Sequence, residues 1–210
     1  MRADCHMHTY FSGDSEAKPE DMVLAAIDKG LEAICFTDHE DIDYFCDDIE
    51  FVFDPETYFK ELGALKEKYK EKLDIRIGVE FGLQPHLAKK AKAFTAANPY
   101  DFVIGSMHVV GGKDPYYPEF FEGISDEEAY RMALRETIAD IRAVADFDVL
   151  GHLDYVVRYG KHREQEYSYG RFADEIDEIL RPSFCTPASG CVKKIQKAGG
   201  RDHHRRRRCT

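Results

Sequence analysis

The interpretation of this sequence starts from Met1-Arg-Ala-Asp-Cys-His-Met-His8, which has the pattern of a short β-strand ending in His-x-His. Because successive side chains of a strand point to opposite faces, His6 and His8 lie on the same face. Two imidazoles on one face at a strand end can both reach one cation. For this motif taken alone, a pair of ordinary surface histidines remains the alternative.

Four later segments repeat the arrangement, since each is an apolar, strand-like run that ends in a residue of a type that binds metals. The segments are Ala33-Ile-Cys-Phe-Thr-Asp-His39, Ile75-Arg-Ile-Gly-Val-Glu80, Phe102-Val-Ile-Gly-Ser-Met-His108 and Val149-Leu-Gly-His152. Chance could place a ligand-type residue at one or two of these strand ends. Five in succession indicate a common site.

Amphipathic segments between these strands predict helices, with Pro19 opening the first and Asp54 capping the second. A capping box, Ser125-Asp-Glu-Glu128, opens a long helix later in the chain. The predicted helices cover residues 19–29, 55–72, 85–97, 125–145 and 172–180. Strands alternating with helices are typical of an α/β fold with parallel strands. Such folds place their sites at the carboxyl ends of the strands, where the ligand-type residues of all five segments lie.

Length and composition limit the class of protein. The 210 residues, 43% of them hydrophobic, suit one globular domain, which we expect over residues 1–180. No apolar run approaches the roughly 20 residues that span a bilayer, and no signal-peptide pattern is present, so we expect a cytoplasmic protein without a membrane partner. Six irregularly spaced cysteines suit a reducing compartment.

The net charge of -11 is unevenly distributed. Residues 181–210 form a basic tail with nine Lys/Arg and one Asp, whereas the first 180 residues hold 20 basic and 39 acidic residues. An acidic body argues against nucleic acid as a partner. Bound divalent cations would offset part of its charge. Oligomeric state is open.

The ligand-type residues form a mixed set of imidazoles and carboxylate, namely His6, His8, His39, Glu80, His108 and His152. This set suits Zn, Mn or Fe and is too rich in nitrogen for Ca or Mg. Glu80, on the third of the five strands, is the best candidate to bridge two metals. Two metals about 3.5–4 Å apart can activate water at neutral pH and clamp a phosphate oxygen, which favours hydrolysis of a phosphate ester.

Each candidate also has an ordinary structural explanation. His39 could cap a helix or loop, Glu80 could be an ion-pair partner, and His108 and His152 could be core histidines. Asp14 could be only a turn residue.

Three further residues have supporting roles in this interpretation. Asp38 and Asp154 are expected to orient metal ligands rather than to bind metal themselves. Arg158 lies six residues beyond His152 on the loop that would face the site. Its guanidinium would bind phosphate oxygens in a bidentate way, although a solvated surface charge is the alternative.

Several motifs resemble the PHP (polymerase and histidinol phosphatase) metallohydrolase superfamily, and within it the histidinol-phosphatase family. The motifs are Asp4-Cys-His-Met-His-Thr9, Phe11-Ser-Gly-Asp-Ser15, Phe36-Thr-Asp-His39, Gly78-Val-Glu-Phe-Gly82, Gly105-Ser-Met-His-Val109 and Gly151-His-Leu-Asp154. They cover residues 1 to about 180 in the family's order. The likeness to the histidinol-phosphatase family rests on Ser12-Gly-Asp-Ser-Glu16, the loop around residues 115–121 and the segment 152–158.

The resemblance implies a distorted (β/α)7 TIM-like barrel with two or three divalent metal ions. Carried over by position, His6, His8 and Glu80 would hold one metal, Glu80, His108 and His152 the second, and Asp14 and His39 the third. The family completes its first and third sites with an Asp-x-His motif after a late strand. This sequence lacks that motif and recognisable sixth and seventh strands, so we expect a barrel that is incomplete at its C-terminal end.

The function implied is hydrolysis of L-histidinol phosphate, a small-molecule phosphate ester, to L-histidinol and phosphate in histidine biosynthesis. Glu80 and Arg158 are the expected catalytic residues, and Arg158 also binds the substrate. One alternative is another PHP phosphoesterase that acts on a sugar, nucleotide or nucleic-acid phosphate. A second is a non-catalytic remnant that retains partial metal binding.

Residues from roughly 182 onward prompt a separate hypothesis, a shifted reading frame. This segment holds three of the six cysteines and the run Arg205-Arg-Arg-Arg208 but no strand-like run. Back-translated and read from the second base of each codon, its end permits Thr-Val-Gly-Ala-Asp-Ala followed by His, which resembles the family's late Asp-x-His motif. A genuine basic, disordered tail is the alternative.

Overall fold

The computed structural model describes residues 2–45 and 49–181. Within them the chain forms two compact units. The first holds residues 2–81 and 94–104, and the second holds residues 82–93 and 105–181. Residues 182–210, on which the hypotheses of a basic tail and a shifted reading frame depend, lie outside the described part of the chain.

The strands form a sheet whose order is β1-β2-β4-β5-β6, with β3 paired to β4. The strands are β1 Ala3–Met7, β2 Ala33–Phe36, β3 His39–Glu40, β4 Asp74–Gly82, β5 Phe102–Ser106 and β6 Val149–Leu150. The pairs β1–β2, β2–β4 and β3–β4 are all parallel, which confirms the predicted arrangement. All five predicted strands are present. The two-residue strand β3 was not predicted, because two residues carry no periodic pattern.

The helices also follow the prediction closely. They are α1 Pro19–Asp28, α2 Pro55–Tyr69, α3 Ala88–Ala97, α4 Asp126–Ala143 and α5 Ala173–Ile179, with short 3-10 helices at Pro85–Leu87, Pro118–Phe121, Val156–Arg158, Arg163–Gln165 and Tyr169–Arg171. Asp54 caps α2 by accepting a hydrogen bond from Thr57 N, and the capping box of Ser125 and Glu128 opens α4, as predicted. None of the helices in the described ranges is long and apolar enough to cross a membrane.

The hydrophobic core of the first unit lies between the strands and helices α1 and α2. Its members are apolar residues of alternating strand positions and of one face of each helix, namely Met7, Val23, Ala26, Ile34, Phe36, Tyr58, Leu62, Leu65, Tyr69, Leu73, Ile75 and Ile77. Burial of each large side chain contributes about 1.5–3 kcal/mol. This core fixes β1, β2 and β4 against one another, and with them the side chains at their ends.

A glycine allows two strands of this unit to approach closely. A Cβ atom on Gly78 would lie 2.4 Å from the carbonyl oxygen of Phe102 and 2.9 Å from the Cys35 sulfur. The Gly78 carbonyl in turn accepts a 3.2 Å hydrogen bond from the buried Tyr58 hydroxyl. No residue with a side chain fits here, so the Gly78-Val-Glu80 segment is held by backbone contact.

In the second unit, α4 packs against α5 and against the 3-10 helices at Pro85–Leu87 and Val156–Arg158. Small residues on α4, Ala129 and Ala133, are fully buried and let the neighbouring segments approach closely. At the edge of this packing the Arg131 guanidinium lies 2.7 Å from the Glu175 carboxylate. The packing holds the loop that follows β6 and carries Arg158.

Candidate metal centre

Three predicted ligands converge at the strand ends of the first unit. The Nε2 atoms of His6 and His8 each lie 2.9 Å from Oε2 of Glu80, and 3.1 Å from each other. Strand alternation puts the two imidazoles on one face of β1, as the sequence predicted. Glu80 is fully buried, so its carboxylate lies beneath the two rings with little access to water.

The spacing of these three atoms fits a divalent metal. Ligand atoms about 2.0–2.2 Å from zinc lie roughly 2.8–3.6 Å from one another, depending on the coordination geometry. The distances of 2.9, 2.9 and 3.1 Å are at the short end of that range. Two imidazoles and one carboxylate are also the donor set expected for Zn, Mn or Fe. The residues present therefore fit a metal ion.

A second group of potential ligands shares His8 with the first. Oδ2 of Asp14 lies 3.2 Å from Nδ1 of His8 and 3.7 Å from Nε2 of His39. The rings of His8 and His39 meet edge to face, with centroids 4.4 Å apart. Asp14 is placed here by the turn after β1. The structure thus brings Asp14 and His39 close together, the arrangement that a further metal site needs. Asp14 lies in a turn and also contacts two histidines.

His39 reaches this group because β3 pairs with β4. In the parallel register, His39 is the direct partner of Glu80. The other side of the His39 ring contacts a residue that the sequence interpretation missed, since Nδ1 lies 3.0 Å from Oδ2 of the buried Asp41. A carboxylate on the second nitrogen fixes the orientation and tautomer of a ligating imidazole. The only sequence signal for Asp41 was its place in the acidic run after His39.

Nearby carboxylates raise the pKa values of the His8 and His39 imidazoles. Although burial opposes the charged form, hydrogen bonds to Asp14 and Glu80 raise the pKa of His8 to about 9. Burial likewise opposes the charge of His39, but the Glu80 and Asp41 carboxylates raise its pKa to about 10. The same two imidazoles lower the pKa of Asp14 in spite of its burial. The site therefore attracts positive charge, which protons or a metal can supply.

Asp38 is buried beside the turn after β1, and its expected role in orienting metal ligands stays a prediction. Its Oδ1 accepts hydrogen bonds from the Thr9 backbone N–H, the Thr9 hydroxyl and the Ser12 hydroxyl. The Ser12 oxygen accepts in turn from the backbone N–H of His39. Burial raises the pKa of Asp38, partly offset by these hydrogen bonds. Asp38 thus fixes the turn after β1 and the start of β3, and so positions Asp14 and His39 through the backbone.

The second unit places the other two predicted histidines together. The His108 and His152 ring centroids are 5.4 Å apart. His108 follows β5 and His152 follows β6, where the Gly151 backbone N–H donates to the Gly105 carbonyl at 2.8 Å. The pair lies at the carboxyl ends of neighbouring strands, as predicted, and offers imidazole ligands to a metal.

Arg158 and Asp154 lie on the polypeptide that follows His152. Arg158 ends a 3-10 helix and is exposed, with its guanidinium carbon 5.9 Å from the centre of the Tyr155 ring. Asp154 is exposed, and its backbone carbonyl accepts from Val157 N at 3.1 Å. Its role in orienting His152 stays a prediction. Tyr155, which the sequence interpretation did not single out, lies against both histidines.

Comparison with known proteins supports the family resemblance that the sequence motifs indicated. The PHP domain model matches residues 4–184. The histidinol-phosphatase of Lactococcus lactis subsp. lactis (strain IL1403) is 35% identical over 181 residues, 86% of this chain and 66% of that protein. A probable histidinol-phosphatase of Clostridium acetobutylicum is 33% identical over 86% of this chain and 68% of its own length. The chain thus spans about two thirds of the length of these curated relatives.

Two solved structures share the fold. The crystal structure of the Lactococcus lactis histidinol phosphate phosphatase, complexed with zinc, L-histidinol and phosphate, has a TM-score of 0.80 and 34% identity over 85% of this chain and 68% of that chain. A putative histidinol phosphatase from Listeria monocytogenes has a TM-score of 0.73 at 20% identity, over 85% of this chain and 79% of that chain, and shows the fold alone. The parallel α/β architecture, the candidate ligands at its strand ends and the match over residues 4–184 show that this chain belongs to the PHP domain family.

Proposed function

We propose that this chain is a metal-dependent histidinol-phosphatase, which converts L-histidinol phosphate and water into L-histidinol and phosphate in histidine biosynthesis. The observation that carries the proposal is the convergence of His6, His8 and Glu80 within 2.9–3.1 Å at one edge of a parallel sheet. The 35% identity to the Lactococcus lactis enzyme supports the choice of substrate.

We assign the ligands by the groups in which they lie. His6, His8 and Glu80 would hold one divalent metal, Asp14 and His39 would hold another, and His108 and His152 would hold a further one, with Zn, Mn or Fe as candidates. When bound, such ions act as Lewis acids toward a phosphate oxygen and lower the pKa of water. The bridging role of Glu80 between two metals stays a prediction.

The protein's own residues supply charge and orientation. Glu80 is buried and holds two imidazoles with one oxygen, so those ligands are set in place before substrate arrives. Asp41 fixes the ring of His39 from the opposite side. Arg158, an exposed guanidinium beside Tyr155, would bind the phosphate group in a bidentate way. The carboxylates of Glu80, Asp14 and Asp41 also give the site negative charge, which would suit a substrate that carries a cationic amine.

Two other candidates compete with this function. Another PHP phosphoesterase would use the same ligands on a sugar, nucleotide or nucleic-acid phosphate. A non-catalytic remnant that retains partial metal binding is the alternative from a different class of protein. The acidic body counts against nucleic acid. A small-molecule partner and a cytoplasmic location stay predictions, and the oligomeric state stays open.

Steady-state kinetics would separate these candidates. The purified chain, loaded in turn with Zn²⁺, Mn²⁺ and Fe²⁺, would be assayed with histidinol phosphate, a nucleoside monophosphate and p-nitrophenyl phosphate. We expect kcat/KM for histidinol phosphate to exceed the other two values by at least tenfold. Equal rates on all three substrates would favour a general phosphoesterase. Stoichiometric metal binding without turnover of any substrate would favour the remnant.

A further inference from the structure

Asp114 is a buried acid in the loop between β5 and α4, where Lys113, one residue before it, and Tyr116, two residues after it, are exposed. Its Oδ1 atom accepts a 2.8 Å hydrogen bond from the Tyr155 hydroxyl and a 2.8 Å hydrogen bond from the backbone N–H of Tyr116. A buried carboxylate is costly unless donors satisfy it. The bond from Tyr116 lies within the loop, and the bond from Tyr155 ties the loop to the segment that follows β6.

The ring of Tyr155 touches both histidines of the second unit. It stacks on His152, with centroids 5.2 Å apart and planes at 30°, and it meets the edge of His108 at 5.5 Å and 67°. At the far end of the same ring, the Tyr155 hydroxyl donates its hydrogen bond to Asp114. One ring, held at its far end by Asp114, therefore borders two proposed metal ligands.

We propose that Asp114 is a positioning residue which fixes the His108 and His152 imidazoles for metal binding through the Tyr155 ring. This inference shares one assumption with the proposed function, namely that His108 and His152 bind a metal ion. An imidazole can rotate about its bond to Cβ, and a ligand pair binds tightly only when both nitrogens already point at the same place. Tyr155 limits that rotation for both rings at once, because it stacks on one and abuts the other.

The hydrogen bonds predict which substitutions matter. Both described bonds end on Oδ1, so the side-chain oxygen of Asn can accept them and Asp114→Asn should retain the arrangement. Asp114→Leu keeps the branched arrangement of heavy atoms but has no acceptor, and should release Tyr155. Tyr155→Phe keeps the ring but removes the donor. If the negative charge of Asp114 were what mattered, Asp114→Asn would fail as badly as Asp114→Leu.

Cobalt provides a probe that does not depend on turnover. Each variant would be titrated with Co²⁺ while its visible absorption spectrum is recorded, and the part of the spectrum lost in His108→Ala would be assigned to the His108–His152 pair. We expect Asp114→Leu and Tyr155→Phe each to weaken that component of Co²⁺ binding by about 10- to 100-fold and to shift its bands. Asp114→Asn should remain within about threefold of the original protein.

A matched control and a double variant complete the test. Tyr169→Phe removes another tyrosine–aspartate hydrogen bond of the same unit, the exposed 2.8 Å bond to Asp177, and should change nothing. The double variant Asp114→Leu with Tyr155→Phe should be no worse than either single variant, because both act on one interaction.

The outcomes separate this inference from the proposed function. Unchanged Co²⁺ binding in Asp114→Leu, equal loss in Asp114→Asn, or no component sensitive to His108→Ala would each overturn the positioning role. Absence of phosphatase activity in the original protein would contradict the proposed function but leave the Co²⁺ titration decisive for Asp114.

Discussion

Nε2 of His6 lies 2.9 Å from Oε2 of Glu80, a residue 74 positions later in the chain. The His6 side chain is 41% exposed, whereas that of Glu80 is 1% exposed. A carboxylate this deeply buried is stable only beside a positive charge or several donors. The imidazoles provide that charge when protonated, and a metal ion would provide more of it. This contact therefore links the fold of the first unit to the proposed chemistry.

The first prediction concerns that carboxylate. Glu80→Gln keeps the shape of the side chain but removes its charge, so we expect loss of metal binding and of phosphatase activity with little change in fold. Metal content by mass spectrometry and circular dichroism would measure the two effects. Glu71→Gln, at an exposed carboxylate, is the control and should retain both properties. Unchanged turnover with unchanged metal content in Glu80→Gln would rule out its role as a ligand.

The second prediction concerns Arg158. Arg158→Ala should raise KM for phosphate esters by about 10- to 100-fold while leaving metal content unchanged, because a bidentate guanidinium contact is lost but no metal ligand is touched. Arg158→Lys should recover only part of the effect. Lys161→Ala removes an exposed positive charge three residues further along the chain. It tests whether loss of any nearby positive charge raises KM to the same extent. Equal increases in KM in the two alanine variants would show that Arg158 is a solvated surface charge and does not bind the phosphate.

The third prediction concerns a buried acid on α4. Asp140 is fully buried, and among the described residues neither of its carboxylate oxygens has a hydrogen-bond partner. Burial, together with the nearby Glu136, raises its pKa from 3.8 to about 8. The folded protein therefore keeps a proton that the unfolded chain loses. Between pH 4 and pH 8 the free energy of unfolding should fall as pH rises, by at most about 1.4 kcal/mol per pH unit.

Urea unfolding at several pH values would measure this dependence. Asp140→Asn cannot ionise, so its stability should fall less between pH 5 and pH 8 than that of the original protein. Asp146→Asn, at an exposed carboxyl of the same region, should leave the pH dependence unchanged. Parallel pH profiles for the original protein and Asp140→Asn would show that Asp140 is charged in the folded state.

The fourth prediction compares two glycines of the first unit. At Gly78 a Cβ atom would lie 2.4 Å from the Phe102 carbonyl oxygen, so Gly78→Ala must push β4 and β5 apart and should cost about 1–3 kcal/mol or more. At Gly63, inside α2, a Cβ atom would meet nothing within 4 Å, so Gly63→Ala should stabilise by about 0.5–1 kcal/mol. Thermal and urea unfolding would measure both. Equal effects of the two substitutions would contradict the close approach at Gly78.

The sequence by itself determined the strands, the helices and the candidate ligands. Local pattern was sufficient for these, because side-chain alternation on a strand and capping at a helix start are properties of neighbouring residues. The placement of His6 and His8 on one face is the clearest case, and the capping box at Ser125 is another. The family motifs then related these local features to a metal-dependent hydrolase.

The tertiary structure alone decided which side chains meet across the sheet. The register that pairs His39 with Glu80 depends on how β3 and β4 align, and a two-residue strand has no periodic signal. Asp41 on His39 and Asp114 on Tyr155 are contacts of the same kind. An acidic residue in a loop looks alike in sequence whether it faces solvent or supports an imidazole. Only burial and the position of its donors distinguish the two, and both arise when distant segments pack together.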